Sequence, residues 1–261
     1  EVETILAANA YQGIVLRSAN TCSAQIIDSA GTVSVIGRAG IGLDNIDLAA
    51  AQRRGITVVN TPQASVPSVA ELALTLMLCA SRRVLEASSS LREGRWDRAA
   101  LEGSCLAGKR VGILGYGSIG EATGRLCKAL GMSVCTLEGS SRSRVARDDG
   151  VKLVTLDELL ATSDVISLHM PLTPETEGIM GEAQLAMMKP TAIVVNTARG
   201  ELVDEEALLR ALDAGTVAAA CLDVFAQEGA PLAPRTQHLC SHPKVVATPH
   251  LGGSTLEARD A

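Results

Sequence analysis

Short apolar runs alternate with amphipathic stretches along most of the chain. Apolar runs bounded by Gly, Pro, Asn or Asp predict buried strands, and apolar residues spaced three or four apart predict the helices between them. The predicted strands are residues 13–16, 33–36, 57–59, 111–114, 132–137, 165–169, 192–196, 218–225 and 245–248. The predicted helices are residues 24–29, 48–54, 69–91, 121–130, 156–160, 182–188 and 204–214. This alternation predicts an α/β fold with a doubly wound parallel sheet, in which ligands bind beyond the carboxyl ends of the strands.

Residues 69–91 form the longest predicted helix, and it is more apolar than one covered face requires. Its apolar core is too short to cross a bilayer, so we expect a buried or interface helix. Residues 60–67 are predicted to be a loop, and residues 176–180 fit either a short strand or a turn. Gly215 is expected to cap the helix that precedes it.

The segment Val-Gly-Ile-Leu-Gly-Tyr-Gly-Ser-Ile-Gly at residues 111–120 joins a predicted strand to a predicted helix. Gly115 allows the tight turn, Gly117 lets the backbone approach a pyrophosphate, and Gly120 lets helix and strand pack closely. The pyrophosphate would lie on the N–H groups at the positive end of the helix dipole. The next apolar run ends at Glu138, whose carboxylate can accept ribose hydroxyls and would repel a 2′-phosphate. The segment therefore predicts a Rossmann unit that binds NAD in preference to NADP.

Three polar residues follow predicted strands at positions where hydride-transfer chemistry would need them. Arg199, Glu228 and His250 each come after one of the last three predicted strands. Oxidation of a 2-hydroxy acid needs a base for the hydroxyl proton, a cation for the carboxylate and a nicotinamide to take the hydride. A histidine is the natural base near neutral pH, a carboxylate on its far nitrogen would orient it, and the arginine fork matches a carboxylate. Each residue alone also fits a solvated loop, but their placement at one sheet edge favours a catalytic site.

Composition narrows the choice of partners and compartment. Hydrophobic residues make up 47% of the 261 residues but aromatics only 2%, so the core must consist largely of Ala, Val, Leu and Ile. Few rings and a net charge of −6 argue against a nucleic-acid partner. Seven cysteines without a C-x-x-C pair, with Cys79, Cys127 and Cys221 in apolar segments, indicate buried, reduced thiols in a cytoplasmic protein. No segment suggests a membrane span or a signal peptide, and the initial Glu suggests a fragment or a trimmed chain.

Two histidine features have plain explanations. His238 and His242 flank a cysteine and could bind a metal, but no second ligand pair lies nearby. We therefore expect an ordinary surface loop there and no metal site. His169 ends a predicted strand near the expected cofactor site, and we expect it to orient the turn at Pro171 rather than to act in catalysis.

Longer stretches match one enzyme family over essentially the whole chain. They are residues 37–47 (GRAGIGLDNID), 69–73 (VAELA), 94–98 (GRWDR), 115–120 (GYGSIG), 169–176 (HMPLTPET), 196–200 (NTARG), 203–208 (VDEEAL), 222–225 (LDVF) and 249–255 (PHLGGST). On these stretches the chain resembles the D-isomer-specific 2-hydroxyacid dehydrogenases. The resemblance implies a second, smaller flavodoxin-like α/β domain at residues 1–68, which binds substrate. It implies a Rossmann domain at residues 69–253, with residues 254–261 beginning the return to the smaller domain.

The resemblance also implies roles for individual residues. The family's catalytic trio falls on Arg199, Glu228 and His250. Its cofactor contacts fall on Ile41, Gly115, Gly117, Ser118, Ile119, Gly120, Glu138, Met170, Thr197, Ala198, Asp223, Gly252 and Gly253, with Asp223 at the nicotinamide carboxamide. Its substrate contacts fall on Arg17, Ser18, Arg38, Ala39 and Gly40, and Arg98 would reach a neighbouring subunit's substrate. The family places Pro directly after the catalytic Glu, whereas Gly229 and Ala230 follow here and predict a looser backbone.

The function implied by the resemblance is NAD-dependent oxidation of a small D-2-hydroxy acid, with D-3-phosphoglycerate favoured and serine biosynthesis as the expected context. A glyoxylate or hydroxypyruvate reductase and a D-lactate dehydrogenase remain open within the family. An NAD-sensing, corepressor-like binding protein is the alternative of another class, and an inactive fragment is a third. The family's first strand and helix and its last helix are expected to be short or absent. The expected partners are the small-molecule substrate and further copies of the chain, as a homodimer or higher homo-oligomer built on residues 69–91.

Overall fold

The structure is a computed structural model that describes residues 2–8, 10–17, 20–139 and 143–261. Contacts divide the chain into two compact units. Unit 1 comprises Glu1–Val66 with Thr255–Ala261, and unit 2 comprises Pro67–Ser254. Among the described residues, no helix is long and apolar enough to cross a membrane.

The described elements alternate between helix and strand, as the hydrophobic pattern predicts. The helices are α1 Val2–Ala8, α2 Ala24–Ser29, α3 Leu48–Arg53, α4 Val66–Arg82, α5 Val84–Arg92, α6 Ser118–Ala129, α7 Ser143–Asp148, α8 Leu156–Thr162, α9 Glu182–Ala186, α10 Glu205–Ala214, α11 Pro234–Ser241 and α12 Leu256–Asp260. The strands are β1 Gly13–Leu16, β2 Val35–Arg38, β3 Thr57–Asn60, β4 Arg110–Leu114, β5 Ser133–Leu137, β6 Lys152–Val154, β7 Val165–Leu168, β8 Ile193–Asn196, β9 Ala219–Leu222 and β10 Val245–Ala247. Short 3₁₀ helices cover Arg98–Leu101 and Gly200–Leu202.

Unit 1 is built on a parallel sheet with the strand order β1-β2-β3. Its register pairs Leu16 with Arg38 and Arg38 with Asn60, so the carboxyl ends of the three strands lie at one edge. The fully buried Ile27 of α2, Ile36 of β2 and Ala50 of α3 belong to its core. The helices therefore bury their apolar faces against this sheet.

Unit 2 contains a seven-stranded parallel sheet with the order β10-β9-β8-β7-β4-β5-β6. The chain winds outward in one direction through β5 and β6 and in the other through β7 to β10. The strand order therefore reverses between β4 and β7, and such a switch point opens a crevice beyond the carboxyl ends of the strands. The sheet confirms the predicted doubly wound α/β class.

Alternate residues of the strands enter two separate apolar cores. In β8, Ile193 and Val195 pack in the core that includes Leu76 and Met77 of α4. Val194 packs in the other core, which contains residues of α8 and α10. Because successive side chains of a strand point to opposite faces, helices cover both faces of the sheet, and the central strands β7 and β8 are buried along their whole length.

The prediction of one helix over residues 69–91 is wrong, because the helix breaks at Arg83. Arg83 takes a left-handed conformation with φ 51°, between α4 and α5. Its guanidinium donates to the carbonyl of Ala100 and pairs with Glu86. The carbonyl of Ser81 accepts the N–H of Ser104 at 2.8 Å instead of continuing the helical ladder. Contacts with Ala100 and Ser104, and not a Gly or Pro, therefore accompany the end of α4.

Other boundaries differ from the prediction for identifiable reasons. The strand expected at residues 33–36 is β2, which covers Val35–Arg38. It ends two residues later than expected because its hydrogen-bonded pairing with β1 and β3 continues to Arg38. The strand expected at 218–225 ends at Leu222, since the N–H of Phe225 donates to a carboxylate rather than to a neighbouring strand. The loop expected around His238 is helix α11, which begins with Pro234 at its first position and buries Leu239. The sequence did not predict α1, α7 or β6.

The cap of α10 and the state of the cysteines agree with the sequence better than the element boundaries do. The carboxylate of Asp204 accepts the N–H groups of Glu206 and Ala207 at 3.0 Å each, and Gly215 ends α10 with φ 71°. All seven cysteines are free thiols. Cys127 and Cys221 are buried as expected, whereas Cys79 is only partly buried.

Candidate active site

The turn between β4 and α6 brings three stretches of backbone together at the switch point. Gly115 has φ +96°, and a Cβ there would lie 2.7 Å from backbone atoms of His169 and Met170. A Cβ at Gly120 would lie 2.1 Å from the carbonyl oxygen of Gly115. Neither position has room for a side chain, so the predicted roles of these glycines in turn formation and close packing match the geometry.

Gly117 differs from the other two glycines because its Cβ position faces open space, with nothing within 4 Å. It is the N-cap of α6, and no side chain caps the helix there. Ser118 and Ile119 therefore begin a helix that has no side-chain cap at its first N–H groups. Open space at the positive end of a helix dipole fits a pyrophosphate, so the residues present match a dinucleotide.

Further predicted cofactor residues lie at the carboxyl ends of neighbouring strands. Glu138 follows β5 with an exposed side chain, and its N–H donates to the carbonyl of Val154 at 3.0 Å. Met170 lies just beyond β7 and is partly buried. Thr197 follows β8 and is buried, and its hydroxyl has no hydrogen-bond partner among the described residues. A buried hydroxyl without a partner at this edge is suited to bonding a bound ligand.

The loop that carries Arg199 is closed by the side chain of Asn196. Its Nδ2 donates to the carbonyl of Arg199 at 2.7 Å, and its Oδ1 accepts the N–H of Ala198 at 3.0 Å. The guanidinium of Arg199 donates to the carbonyl of Ala198 at 2.5 Å. Asn196 is almost fully buried, so it fixes the start of the loop to the end of β8.

His250 and Glu228 form a hydrogen-bonded pair. Nδ1 of His250 lies 2.8 Å from Oε2 of Glu228, and Oε1 of Glu228 accepts the N–H of Phe225 at 3.3 Å. The side chains are 36% and 41% exposed, respectively. The two glutamate oxygens therefore contact both the histidine ring and the glutamate's own loop, which continues through Gly229 and Ala230.

The pair shifts the pKa of each partner so that the charged forms are favoured. The hydrogen bond to Glu228 is the main cause that raises the pKa of His250 above 6.5; the charges of Glu228 and Asp223 also raise it, whereas burial and the charge of Arg199 lower it. For Glu228, burial raises the pKa, but the bond and charge of His250, the Phe225 N–H and Arg199 together lower it. This polarised pair can donate a proton in one direction of a reaction and accept one in the other.

Asp223 holds the loop on which His250 lies. Its Oδ1 accepts the hydroxyl of Thr248 at 2.5 Å and the N–H of Leu251 at 2.7 Å, and its Oδ2 accepts the N–H of Gly252 at 2.8 Å. The carboxylate is almost fully buried. Sequence reasoning noted Asp223 only as a cofactor contact and missed Thr248, whose signal was its position at the end of the last strand.

The conformation of His250 is unusual for a residue other than glycine. Its φ is 55°, in the left-handed region. Its N–H donates to the carbonyls of Asp223 at 2.8 Å and Thr248 at 3.1 Å. Contacts to the end of β9 therefore stabilise a conformation that is intrinsically unfavourable, and backbone strain of this kind is concentrated at functional sites.

The predicted substrate residues of unit 1 lie at the carboxyl edge of its own sheet. Nη1 of Arg38 donates to the carbonyl of Ala39 at 2.7 Å, beside Gly40 with φ +146°. The carbonyl of Ile41 accepts Nδ2 of Asn60 at 2.7 Å. Arg17 follows β1 and is exposed, and Ser18 lies outside the described residues.

Arg98 and His169 are two other residues that the sequence singled out. Arg98 is exposed at the start of a 3₁₀ helix. His169 is partly buried, with Nε2 2.8 Å from the hydroxyl of Ser167, and desolvation of its ring lowers its pKa to about 4. The ring is therefore neutral at physiological pH, which supports a structural rather than an acid–base role.

Comparison with known proteins assigns this architecture to a family. A dinucleotide turn and a histidine–carboxylate pair on one parallel sheet are features of nicotinamide-dependent dehydrogenases. Residues 74–252 match the family model described as "D-isomer specific 2-hydroxyacid dehydrogenase, NAD binding domain". The chain belongs to this family, and residues 74–252 are its NAD-binding domain.

Individual relatives cover nearly all of this chain. A D-3-phosphoglycerate dehydrogenase from Archaeoglobus fulgidus is 46% identical over 95% of the chain, which spans only 47% of that relative. A hydroxypyruvate reductase from Thermotoga maritima is also 46% identical, over 94% of the chain and 79% of the relative. The solved structure of a D-lactate dehydrogenase from Aquifex aeolicus, complexed with NAD and lactic acid, is 27% identical with a TM-score of 0.89, covering 99% of this chain and 80% of that one. The chain thus spans about half the length of the phosphoglycerate dehydrogenase relative.

Proposed function

We propose that this chain carries the catalytic site of an NAD-dependent D-2-hydroxyacid dehydrogenase, which interconverts a small D-2-hydroxy acid and its 2-keto acid. The observation that carries the proposal is the 2.8 Å contact between Nδ1 of His250 and Oε2 of Glu228. Asp223 anchors the loop of this pair at the sheet edge that also holds the glycine turn. Membership of the family supports NAD as the cofactor.

Each member of the trio has a distinct role in this proposal. His250, engaged through Nδ1, takes the hydroxyl proton on Nε2 in oxidation and returns it to the carbonyl oxygen in reduction. Glu228 fixes the tautomer of the ring and stabilises its protonated form. Arg199 pairs its planar fork with the substrate carboxylate. NAD held at the glycine turn would supply the hydride acceptor for oxidation and, in its reduced form, the hydride donor for reduction.

The remaining contacts follow from the resemblance to the family. We assign the pyrophosphate to the backbone of Gly115, Gly117, Ser118, Ile119 and Gly120, and the adenosine ribose to Glu138. We assign the rest of the dinucleotide to Ile41, Met170, Thr197, Ala198, Asp223, Gly252 and Gly253. We assign substrate contacts to Arg17, Ser18, Arg38, Ala39 and Gly40, and a neighbouring subunit's substrate to Arg98.

For the substrate we propose D-3-phosphoglycerate, which would place the enzyme at the start of serine biosynthesis. The support is the similarity to phosphoglycerate dehydrogenases together with the basic residues Arg38 and Arg98. Reduction of hydroxypyruvate is the second candidate, because a reductase of that name is equally similar and is matched over 79% of its length.

The test is oxidation of NADH by the purified chain with four keto acids side by side: 3-phosphohydroxypyruvate, hydroxypyruvate, glyoxylate and pyruvate. We expect the highest kcat/KM with 3-phosphohydroxypyruvate, and a higher value with hydroxypyruvate would favour the second candidate. His250→Asn should lower kcat by about 10²–10⁴-fold while leaving NADH affinity nearly unchanged. NADH binding without turnover of any of the four would contradict the proposal and favour a binding protein.

We also propose a homodimer in the cytoplasm. The region of α4 and α5 exposes large apolar residues, and unpartnered apolar surface of this kind favours association. These residues are Leu78, Val84, Leu85, Leu91 and Trp96. Seven free thiols are typical of a reducing compartment. Light scattering at micromolar concentration should give the mass of two chains, and a monomer mass would contradict the dimer.

A further inference from the structure

Glu205 is a buried carboxylate outside the proposed trio. It is the first residue of α10 and only 6% exposed. Its Oε1 accepts the N–H of Ala226 at 2.9 Å, 21 positions along the chain. A carboxylate is rarely buried unless hydrogen bonds offset the loss of its contacts with water. The hydrogen bond from the Ala226 backbone is one such contact, and it joins Glu205 to a distant loop.

The loop that Glu205 holds is the one that carries Glu228. The N–H of Ala226 donates to Glu205, and the N–H of the preceding residue, Phe225, donates to Oε1 of Glu228 at 3.3 Å. Oε2 of Glu228 then lies 2.8 Å from Nδ1 of His250. Two successive amides therefore connect the buried carboxylate to the histidine–glutamate pair.

The same peptide also contacts the loop of Arg199. A Cβ at Gly200 would lie 1.9 Å from the carbonyl carbon of Phe225 and 2.3 Å from the nitrogen of Ala226. The residue after Arg199 thus packs directly against the amide that Glu205 binds. A shift of this peptide would move the loops of both Arg199 and Glu228.

We propose that Glu205 is a positioning residue that fixes the Phe225–Ala226 peptide and, through it, the placement of Glu228 against His250. The inference rests on the proposed function, in which Glu228 and His250 act in proton transfer. It does not require Glu205 to touch substrate or cofactor. A titratable neighbour of Glu205 is the thiol of Cys240 in α11, whose pKa is raised by burial and by the Glu205 charge.

The test compares two substitutions of Glu205 with a matched control. Glu205→Gln keeps an oxygen that can accept the Ala226 N–H, whereas Glu205→Asp keeps the charge but shortens the reach by one methylene. Glu206→Gln is the control, because Glu206 is the adjacent, exposed glutamate and pairs with Arg235 at 2.5 Å. Melting temperature, NADH affinity, kcat, KM and the pKa of His250 are measured for each, the last by NMR titration with the His250→Asn spectrum as the assignment.

We expect Glu205→Asp to lower kcat by about ten- to a hundredfold, because small displacements of catalytic groups have effects of this size. The pKa of His250, which faces Glu228, Asp223 and Arg199, should fall toward 6.5 as the Glu228 contact loosens. NADH affinity should stay within about twofold, since the glycine turn is untouched. Glu205→Gln should retain most of the activity, and Glu206→Gln should match the parent chain.

A lower melting temperature with an unchanged kcat and an unchanged His250 titration in Glu205→Asp would overturn the positioning role and leave a purely structural one. Loss of activity in Glu205→Gln equal to that in Glu205→Asp, with no change in the His250 titration, would also overturn it. If the parent chain has no dehydrogenase activity, the proposed function fails, but the NMR titration still decides whether Glu205 controls the Glu228–His250 contact.

Discussion

Glu228→Gln is the sharpest test of how the histidine is tuned. Glu228 now accepts from Nδ1 of His250 at 2.8 Å and from the Phe225 N–H at 3.3 Å. A glutamine is nearly isosteric and can keep one of these contacts. However, it removes the negative charge, and its amide can donate to Nδ1 and so favour the other ring tautomer. The substitution therefore separates charge and tautomer from packing.

The size of the effect follows from the exposure of the pair. The side chains of His250 and Glu228 are 36% and 41% exposed, so water screens their charges. An exposed ion pair of this kind contributes about 0.2–1 kcal/mol, which is less than a tenfold change in rate. Loss of the correct tautomer and orientation matters more than loss of the charge and costs roughly a further 10–10²-fold. We therefore expect kcat to fall by about ten- to several hundredfold, with NADH affinity unchanged.

The direction of the pH dependence gives a second readout. Glu228 raises the pKa of His250, so the protonated ring needed for keto-acid reduction persists to higher pH. In Glu228→Gln the reduction rate should begin to fall at a lower pH, and hydroxy-acid oxidation should reach its plateau at a lower pH. Steady-state rates in both directions from about pH 5 to 9, a range that brackets the ordinary histidine pKa, provide the assay. An unchanged pH profile together with a full kcat would refute the reasoning.

Three further predictions address the rest of the site. Arg199→Lys should raise KM for the keto acid and lower kcat, because a lysine offers one point charge in place of a fork; normal kinetics with a lowered melting temperature would instead assign Arg199 a structural role. Glu138→Ala should bring kcat/KM with NADPH closer to that with NADH, and similar values for both cofactors in the parent chain would contradict the assigned role of this carboxylate. Gly120→Ala should lower both the melting temperature and NADH affinity, because its Cβ would lie 2.1 Å from the carbonyl oxygen of Gly115; parent-like values would show that the turn can move aside.

The sequence by itself determined the class of fold and the sheet edge at which the predicted site residues lie. The pattern of apolar runs predicts β4, β7 and β8 near their observed positions because these central strands are buried on both faces. The glycine spacing predicts the turn because Gly115 and Gly120 have no room for a side chain. Parallel strands end at one edge, so Arg199 and His250 could be placed on that edge from their positions after strands alone.

Tertiary structure decided the features that depend on contacts between distant segments. The break at Arg83 follows from hydrogen bonds to the segment near residue 100, which no local pattern in the helix encodes. The pairing of Glu228 with His250 joins residues 22 positions apart, and the N–H of Phe225 also donates to the glutamate.

Glu205 shows the same limit most clearly. In the sequence it is one of several acidic residues at the start of a helix, where the helix dipole alone explains an acid. Its neighbour Glu206 has the same local setting but faces solvent. Only the packing of α10 against the loop after β9 distinguishes them. This packing buries Glu205 and lets its carboxylate accept the N–H of Ala226, whereas among the described residues Glu206 has no such contact with that loop.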